Sequence, residues 1–260
     1  MRTITIKPLR PFDISVEAEN ISPNKLAPLT LGEIRSLEVW QGNRKKKIAD
    51  LFKVEGDEGQ AKPEEVLIRL EGDFSRVKRV AEGMSAGTVE VLGSIGMHAG
   101  NGMLGGLLKI DGNADDWLGR EMRGGKIVIS GNAGNYAGSG YRGEKCGMRG
   151  GEIEIGGNAG VYLGEHMCGG SIRVGGNAGD FPGAVNQGGT IFIGGMTYLP
   201  GAEMTKGTIT VKGKANVLPS YQKMEVVNID GMEYQKYMGD LVESGKGELF
   251  IATAVLQQSS

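Results

Sequence analysis

The sequence predicts an all-β protein, a right-handed parallel β-helix of about seven 19-residue coils with capping segments at both ends. Three observations carry that prediction. Glycine supplies 46 of 260 residues against only eight prolines, while the apolar fraction of 39% is ordinary. Average glycine usage is about 7%, so the excess serves backbone geometry, and a collagen-like or disordered chain is ruled out. A thirteen-residue pattern then recurs seven times, and the six-residue connectors between its copies favour one composition.

The pattern is G-x-x-M-x-x-G-x-[ILV]-x-[IV]-x-G. It begins at Ala81 ("AEGMSAGTVEVLG"), Gly100, Gly119, Lys145, Gly164, Gly183 and Gly201, with starts 19, 19, 26, 19, 19 and 18 residues apart. The long third gap is one period plus a seven-residue insertion within "GSGYRGEKC". Connectors such as "NAGNYA", "NAGVYL" and "NAGDFP" join the units. A period this short, with one apolar-x-apolar strand per copy (Ile127 and Ile129, Ile153 and Ile155), has no room for a helix–strand unit. It fits one coil of a stacked solenoid, whose spacing of about 4.8 Å turns each repeat position into a column. A left-handed β-helix normally shows a six-residue repeat, and 19 is not a multiple of six, which favours the right-handed form.

The columns can be read directly. Met84, Met103, Met122, Met148, Met167 and Met204 share one, interrupted by Asn186, and they read as core filling. His98, Trp117, Tyr136, Tyr162 and Phe181 share a second. Asn113, Asn132, Asn158 and Asn177 form a third, expected to be a side-chain ladder at a turn where Asn takes the left-handed conformation. Glu90, Lys109, Val128, Glu154, Arg173, Phe192 and Thr210 alternate with the inward strand residues and should face outward. Glu90 is expected to pair with Lys109 and Glu154 with Arg173. Val128 and Phe192 break this polar face, which marks part of it as covered. A turn glycine such as Gly125 is expected to need a positive φ.

Residues 1–59 read as an N-terminal docking or capping segment, with a strand in "RTITIK" and a helix-like "LTLGEIRSLEVW". Residues 60–225 form the repeat domain, with units at 81–93, 100–112, 119–131, 145–157, 164–176, 183–195 and 201–213. Residues 226–260 read as a C-terminal cap or arm with a last apolar stretch, "ELFIATAV". A stacked rod exposes raw strand edges at its ends, which such segments cover.

The chemistry-bearing residues assemble no catalytic, cofactor or metal constellation. A net charge of -2 leaves no footprint for nucleic acid or membrane, and the one basic run, Arg44 to Lys47, reads as a solvated turn. "GNGMLG" and "GSGYRG" match G-x-G-x-x-G, yet neither opens a helical pattern as a dinucleotide site requires. His98 falls in the aromatic column, and His166 occupies a position held elsewhere by Gly102, Glu121, Val185 and Glu203, a tolerant surface site. Two histidines and two cysteines show no zinc-ligand spacing, and Cys146 and Cys168 read as free buried thiols. Asp115 and Asp116 read as a solvated turn rather than a glycosidase pair. The start shows no signal-peptide pattern, so a soluble cytoplasmic chain is expected. The insertion around Tyr141 and Arg142, together with Val128 and Phe192, is the expected subunit interface.

The glycine repeat resembles the C-terminal domain of glutamate synthase. Nearly the whole chain resembles the C subunit of formylmethanofuran dehydrogenase, through "TITIKP", "DISVEAENISPNKLA", "VWQGNRKKKIADLFKVEG" and the seven repeats. It departs at Ala81 and Lys145, which replace the opening glycine, and at Asn186, which replaces Met. The resemblance implies a non-catalytic scaffold subunit of a complex that reduces carbon dioxide and forms formylmethanofuran, the first step of methanogenesis. It also implies that a molybdenum or tungsten pterin, iron–sulfur clusters and a dinuclear metal site reside on partner subunits, chiefly the pterin-binding and amidohydrolase-like ones. The corresponding subunit of a methylotroph formyltransferase/hydrolase complex is the alternative.

Overall fold

The computed structural model describes residues 1–254 and is all-β apart from a few short helical turns. One thirteen-stranded sheet dominates it. Ten strands run parallel in chain order: Arg2–Pro8, Val66–Glu71, Thr88–Leu92, Leu104–Ile110, Gly124–Ile129, Glu152–Ile155, Cys168–Val174, Gln187–Ile193, Lys206–Val211 and Gly247–Ala252. Each repeat supplies one of them because its branched aliphatics alternate with outward residues. Ile127, Ile129, Ile153 and Ile155 are buried, while Lys126, Val128, Glu152 and Glu154 between them are half-exposed. The connectors form a second stack, in which Phe74, Ile95, Ala114, Ala133, Ala159 and Ala178 are joined by successive parallel bridges.

Arg2–Pro8 and Gly247–Ala252 are the first and last parallel strands of the main sheet, and antiparallel strands finish it. Arg2–Pro8 is flanked by antiparallel Phe52–Gly56. At the other end Met232–Gly239 and then Gln222–Ile229 continue antiparallel from Gly247–Ala252. "ELFIATAV" supplies most of that last parallel strand, and its final residue, with the rest of the C-terminal segment, lies outside the described residues. The helix-like "LTLGEIRSLEVW" divides: a Thr30–Glu33 capping box starts the helix Leu31–Ser36, and the chain is extended at Leu37 and enters the strand Glu38–Gln41. The basic run is a strand too, Arg44–Lys47, paired antiparallel with Glu38–Gln41. Gly42, at φ +60°, makes the turn instead. No helix among the described residues is long and apolar enough to cross a membrane.

The predicted core column holds: all six methionines are fully buried. Their fit explains a glycine column. A Cβ on Gly106, Gly151, Gly170 or Gly189 would lie within 2.8 Å of the methyl of Met84, Met122, Met148 or Met167, one coil below. Asn186 is fully buried in the same column, where its Oδ1 accepts the Gly188 N–H at 2.9 Å and its Nδ2 has no partner.

The insertion sits differently from the sequence reading. Gly138, not Lys145, occupies the opening-glycine column: its φ is +70° and a Cβ there would lie 2.6 Å from Ile172 Cδ1. Gly119 and Gly164 meet Ile153 and Ile191 in the same way. The Met148 N–H donates to the Gly138 carbonyl at 2.9 Å, so the extra residues loop out between these two and the stack continues undisturbed. Lys145 is exposed within that loop.

The Asn ladder forms: the Oδ1 atoms of Asn113, Asn132 and Asn158 each accept the backbone N–H of the next asparagine at 2.8 Å, and Asn177 Oδ1 accepts that of Met196. None of the four takes a positive φ, contrary to expectation. The aromatic column takes the left-handed conformation instead, from His98 at +62° to Phe181 at +58°. A non-glycine residue in that region costs about 1–2 kcal/mol, and aromatic stacking contributes about 0.5–1.5 kcal/mol in return.

Candidate functional site

The seven-residue insertion is the longest departure from the 19-residue period, and it forms one wall of a polar concavity. A cavity of about 370 Å³ opens beneath it, lined by Trp117, Tyr136, Tyr162, Tyr141, Arg142, Glu165 and His166. The wall comes from the aromatic column. Successive ring centroids lie 6.2 Å apart for His98–Trp117, 4.4 Å for Trp117–Tyr136, and 5.4 Å for both Tyr136–Tyr162 and Tyr162–Phe181.

Several contacts hold the insertion over this wall. The Tyr141 N–H donates to Glu121 Oε1 at 3.2 Å, and the Arg120 guanidinium lies 4.8 Å from the Tyr141 ring. Gly140 donates to the Glu165 carbonyl at 3.2 Å and Gly147 to the His166 carbonyl at 2.7 Å. Gln187 Nε2 donates to the Lys145 carbonyl at 2.8 Å. The cysteines are not free buried thiols: Cys146 of the insertion and Cys168 of the next coil form a half-buried disulfide, their Cα atoms 5.6 Å apart. The insertion, by looping out, carries Cys146 across the coil spacing to Cys168, which cancels the three-position offset that the repeat register assigns them.

A polar network buttresses the site from the coils before it. Arg120 Nε donates to Asn101 Oδ1 at 2.9 Å, Asn101 Nδ2 donates to Glu82 Oε1 at 3.0 Å, and Glu82 pairs with Arg79 at 2.6 Å. The sequence reading missed this network. Its signal was present, since Glu82, Asn101 and Arg120 recur at 19-residue spacing with complementary chemistry.

His166 is not a tolerant surface residue. It is half-buried in the left-handed region (φ +56°), and its Nδ1 is buried without a partner. Burial pushes the neighbouring Glu165 carboxyl above its ordinary range, against a smaller opposing effect of His166. At the far end of the column, His98 is held below the usual imidazole range by burial and then by Arg120. Asp116 is more than a solvated turn, because its Oδ1 accepts the Asn135 N–H at 2.7 Å and starts a second ladder; Asp115 is exposed.

The expected interface residues fall in two places. Tyr141 and Arg142 are exposed at the cavity rim. Val128 and Phe192 lie on the outward face of the sheet, both half-buried. Phe192 is covered by Arg173, 4.0 Å from its ring, and lines a separate cavity of about 250 Å³ with Ile229 and Tyr234 of the C-terminal hairpin. Glu90 and Lys109 are register neighbours, as are Glu154 and Arg173. Their charges choose other partners: Glu90 binds Arg69 at 3.2 Å, Lys109 lies 3.6 Å from Asp111, and Glu154 binds Lys126 at 2.9 Å. Arg173 is drawn to the Phe192 ring instead. Among the described residues no group of three or more His, Cys, Asp or Glu side chains is placed to hold a metal ion.

No family model matches the chain. Over 98 residues it is 41% identical to the C subunit of molybdenum-containing formylmethanofuran dehydrogenase 1 from Methanosarcina barkeri, covering 38% of this chain and 32% of that protein. Over 100 residues it is 40% identical to the C subunit of tungsten-containing formylmethanofuran dehydrogenase 2 from Methanothermobacter wolfeii, covering 38% of this chain and 37% of the relative. The chain thus matches only about a third of the length of these curated relatives. A chain of the formyltransferase/hydrolase complex from Methylorubrum extorquens, crystallised with methylofuran, superposes with a TM-score of 0.86 at 28% identity, over 95% of this chain and 98% of that one. By sequence the protein is similar to the C subunits of formylmethanofuran dehydrogenase, and by structure to a chain of the formyltransferase/hydrolase complex.

Proposed function

We propose that this chain is a non-catalytic scaffold subunit of a formylmethanofuran dehydrogenase complex, which reduces carbon dioxide and forms formylmethanofuran in the first step of methanogenesis. The observation that carries the reading is the 41% identity to the C subunit of such a dehydrogenase. In this reading the two parallel stacks wind as a right-handed β-helix, and the cytoplasmic complex assembles around it. The amidohydrolase-like and pterin-binding subunits hold the dinuclear metal, the molybdenum or tungsten pterin and the iron–sulfur clusters. Tyr141, Arg142, Val128 and Phe192 contact those partners.

Isolating the native complex and identifying its subunits by mass tests the proposal. Co-purifying iron–sulfur and pterin-binding polypeptides are expected. Stoichiometric molybdenum, tungsten or zinc on the isolated subunit would overturn the scaffold role.

A second reading has its own observation. The structural match to the formyltransferase/hydrolase complex spans 95% of the chain. A formyltransferase polypeptide in the native complex, without iron–sulfur subunits, would decide for that assembly, which hydrolyses the formyl group without reducing carbon dioxide.

A further inference from the structure

The cavity under the insertion has a chemical bias that a general protein contact surface lacks. Tyr136 is stacked between Trp117 and Tyr162, and Tyr162 between Tyr136 and Phe181. Both faces of each ring are therefore covered. What they present to the cavity is ring edge and phenol hydroxyl, and the edge of an aromatic quadrupole is its positive part. Among the described residues, neither hydroxyl has a hydrogen-bond partner.

Arg142 adds a full positive charge at the rim. Its neighbours are engaged: Arg120 lies 3.6 Å from Glu121, and Arg149 lies 4.0 Å from Glu144. Arg142 itself has no acidic partner among the described residues. Glu165, the only acid lining the cavity, is pushed toward its neutral form by burial. The Arg142 guanidinium and the two hydroxyls thus line the cavity as donors without a partner among the described residues.

We propose that this cavity is a carboxylate-binding site, with the Arg142 guanidinium and the Tyr136 and Tyr162 hydroxyls as its donors. One unopposed cation flanked by phenols matches a monoanion better than a phosphate dianion, and a planar guanidinium pairs with a carboxylate through two parallel hydrogen bonds. A volume of about 370 Å³ falls in the range of small-ligand sites and admits more than a bare ion. The cross-link between Cys146 and Cys168 holds the loop that carries Arg142, so the donor is supplied from a constrained segment. The ligand is either a free carboxylic acid or an acidic side chain of a partner chain.

The purified full-length chain, with Trp40→Phe so that fluorescence reports Trp117 alone, is titrated with benzoate and with its uncharged counterpart benzamide. Saturable binding of benzoate only is expected, weakened about tenfold or more by Arg142→Gln and several-fold by Tyr162→Phe. Arg142 is exposed and Phe preserves the ring stack, so both variants keep the fold, which their melting curves verify. Absence of saturable benzoate binding, or equal binding by wild type and Arg142→Gln, overturns the proposal. Because this titration uses the isolated chain, its outcome is independent of which complex the chain joins.

Titration of the native complex then separates the two sources. Undiminished benzoate binding there identifies a free carboxylic acid. Exclusion of benzoate, together with weaker subunit association in Arg142→Gln, identifies a partner's acidic side chain.

Discussion

Asn132 Oδ1 accepts the backbone N–H of Asn158 at 2.8 Å across 26 residues of chain, the same length as the bond from the Asn132 N–H to Asn113 Oδ1 across 19. The ladder therefore ignores the insertion: seven extra residues leave the axial register unchanged and all of their conformational freedom goes outward. Asn132→Ala removes one rung beside the insertion. A loss of about 1 kcal/mol in urea unfolding is expected, the net worth of one hydrogen bond. A larger loss would mean that this rung also closes the insertion.

Gly125→Val tests the geometry of the strand turns. Gly125 has φ +81°, and a Cβ there would lie 2.7 Å from the Gly105 carbonyl carbon and 2.8 Å from two backbone oxygens. Backbone strain alone costs about 1–3 kcal/mol, and these neighbours are backbone atoms that cannot step aside. The expected loss is about 3 kcal/mol, read from the shift in denaturation midpoint. At Gly143, φ is +89° with nothing within 4 Å, so alanine there should cost about 1 kcal/mol or less.

Asn186→Met restores the core column. The native side chain leaves Nδ2 buried without a partner, which typically costs about 1–3 kcal/mol. Met loses the bond from Gly188 but fills the space below Gly207 as its counterparts do one coil away. A net gain of about 1 kcal/mol is expected in the melting midpoint, and a loss would mean that the Gly188 bond outweighs the orphaned amide.

Reduction of the Cys146–Cys168 bond should act locally. The residues sit 22 apart in sequence, and a closed loop of that size constrains the unfolded chain by roughly 3 kcal/mol. With a dithiol reductant, hydrogen exchange should accelerate in residues 139–147 while the amides of Ile127 and Ile153 keep their protection. Uniform acceleration along the rod would show that the cross-link supports the whole stack.

The pH response of Glu165 has a definite sign. Burial raises its folded-state value above the unfolded one, so the folded protein binds more protons and is favoured at low pH. Stability should fall as pH rises from the ordinary glutamate range through the raised folded value. His166 beside it tempers the effect without reversing it. Glu165→Gln should remove this component, measured as a flatter dependence of melting temperature on pH. An identical profile in wild type and variant would place Glu165 in water.

The columns were legible because stacking converts a sequence period into a spatial contact. Six methionines, five aromatic or imidazole rings and four asparagines each fall into line once 19 residues equal one coil spacing. Charge pairing was legible only in part. Register gives Glu90 a cation on each side, Arg69 on the preceding strand and Lys109 on the next, and the repeat pattern starts too late to show that Arg69 is the one it binds. The opening glycine of the fourth unit was misplaced for a related reason. A linear pattern cannot tell on which side of "GSGYRGEKC" the extra residues loop out, whereas the Ile172 methyl beside Gly138 can.

The sequence alone determined the all-β class, the number and order of the repeats, the buried methionines and the stacked rings, since each follows from periodicity and the alternation of inward and outward residues. The tertiary structure alone decided what the insertion makes. A loop without the repeat has no column to predict its neighbours, so the disulfide between Cys146 and Cys168, the Arg120–Tyr141 contact and the donor-lined cavity around Arg142 arise only when the folded coils bring them together.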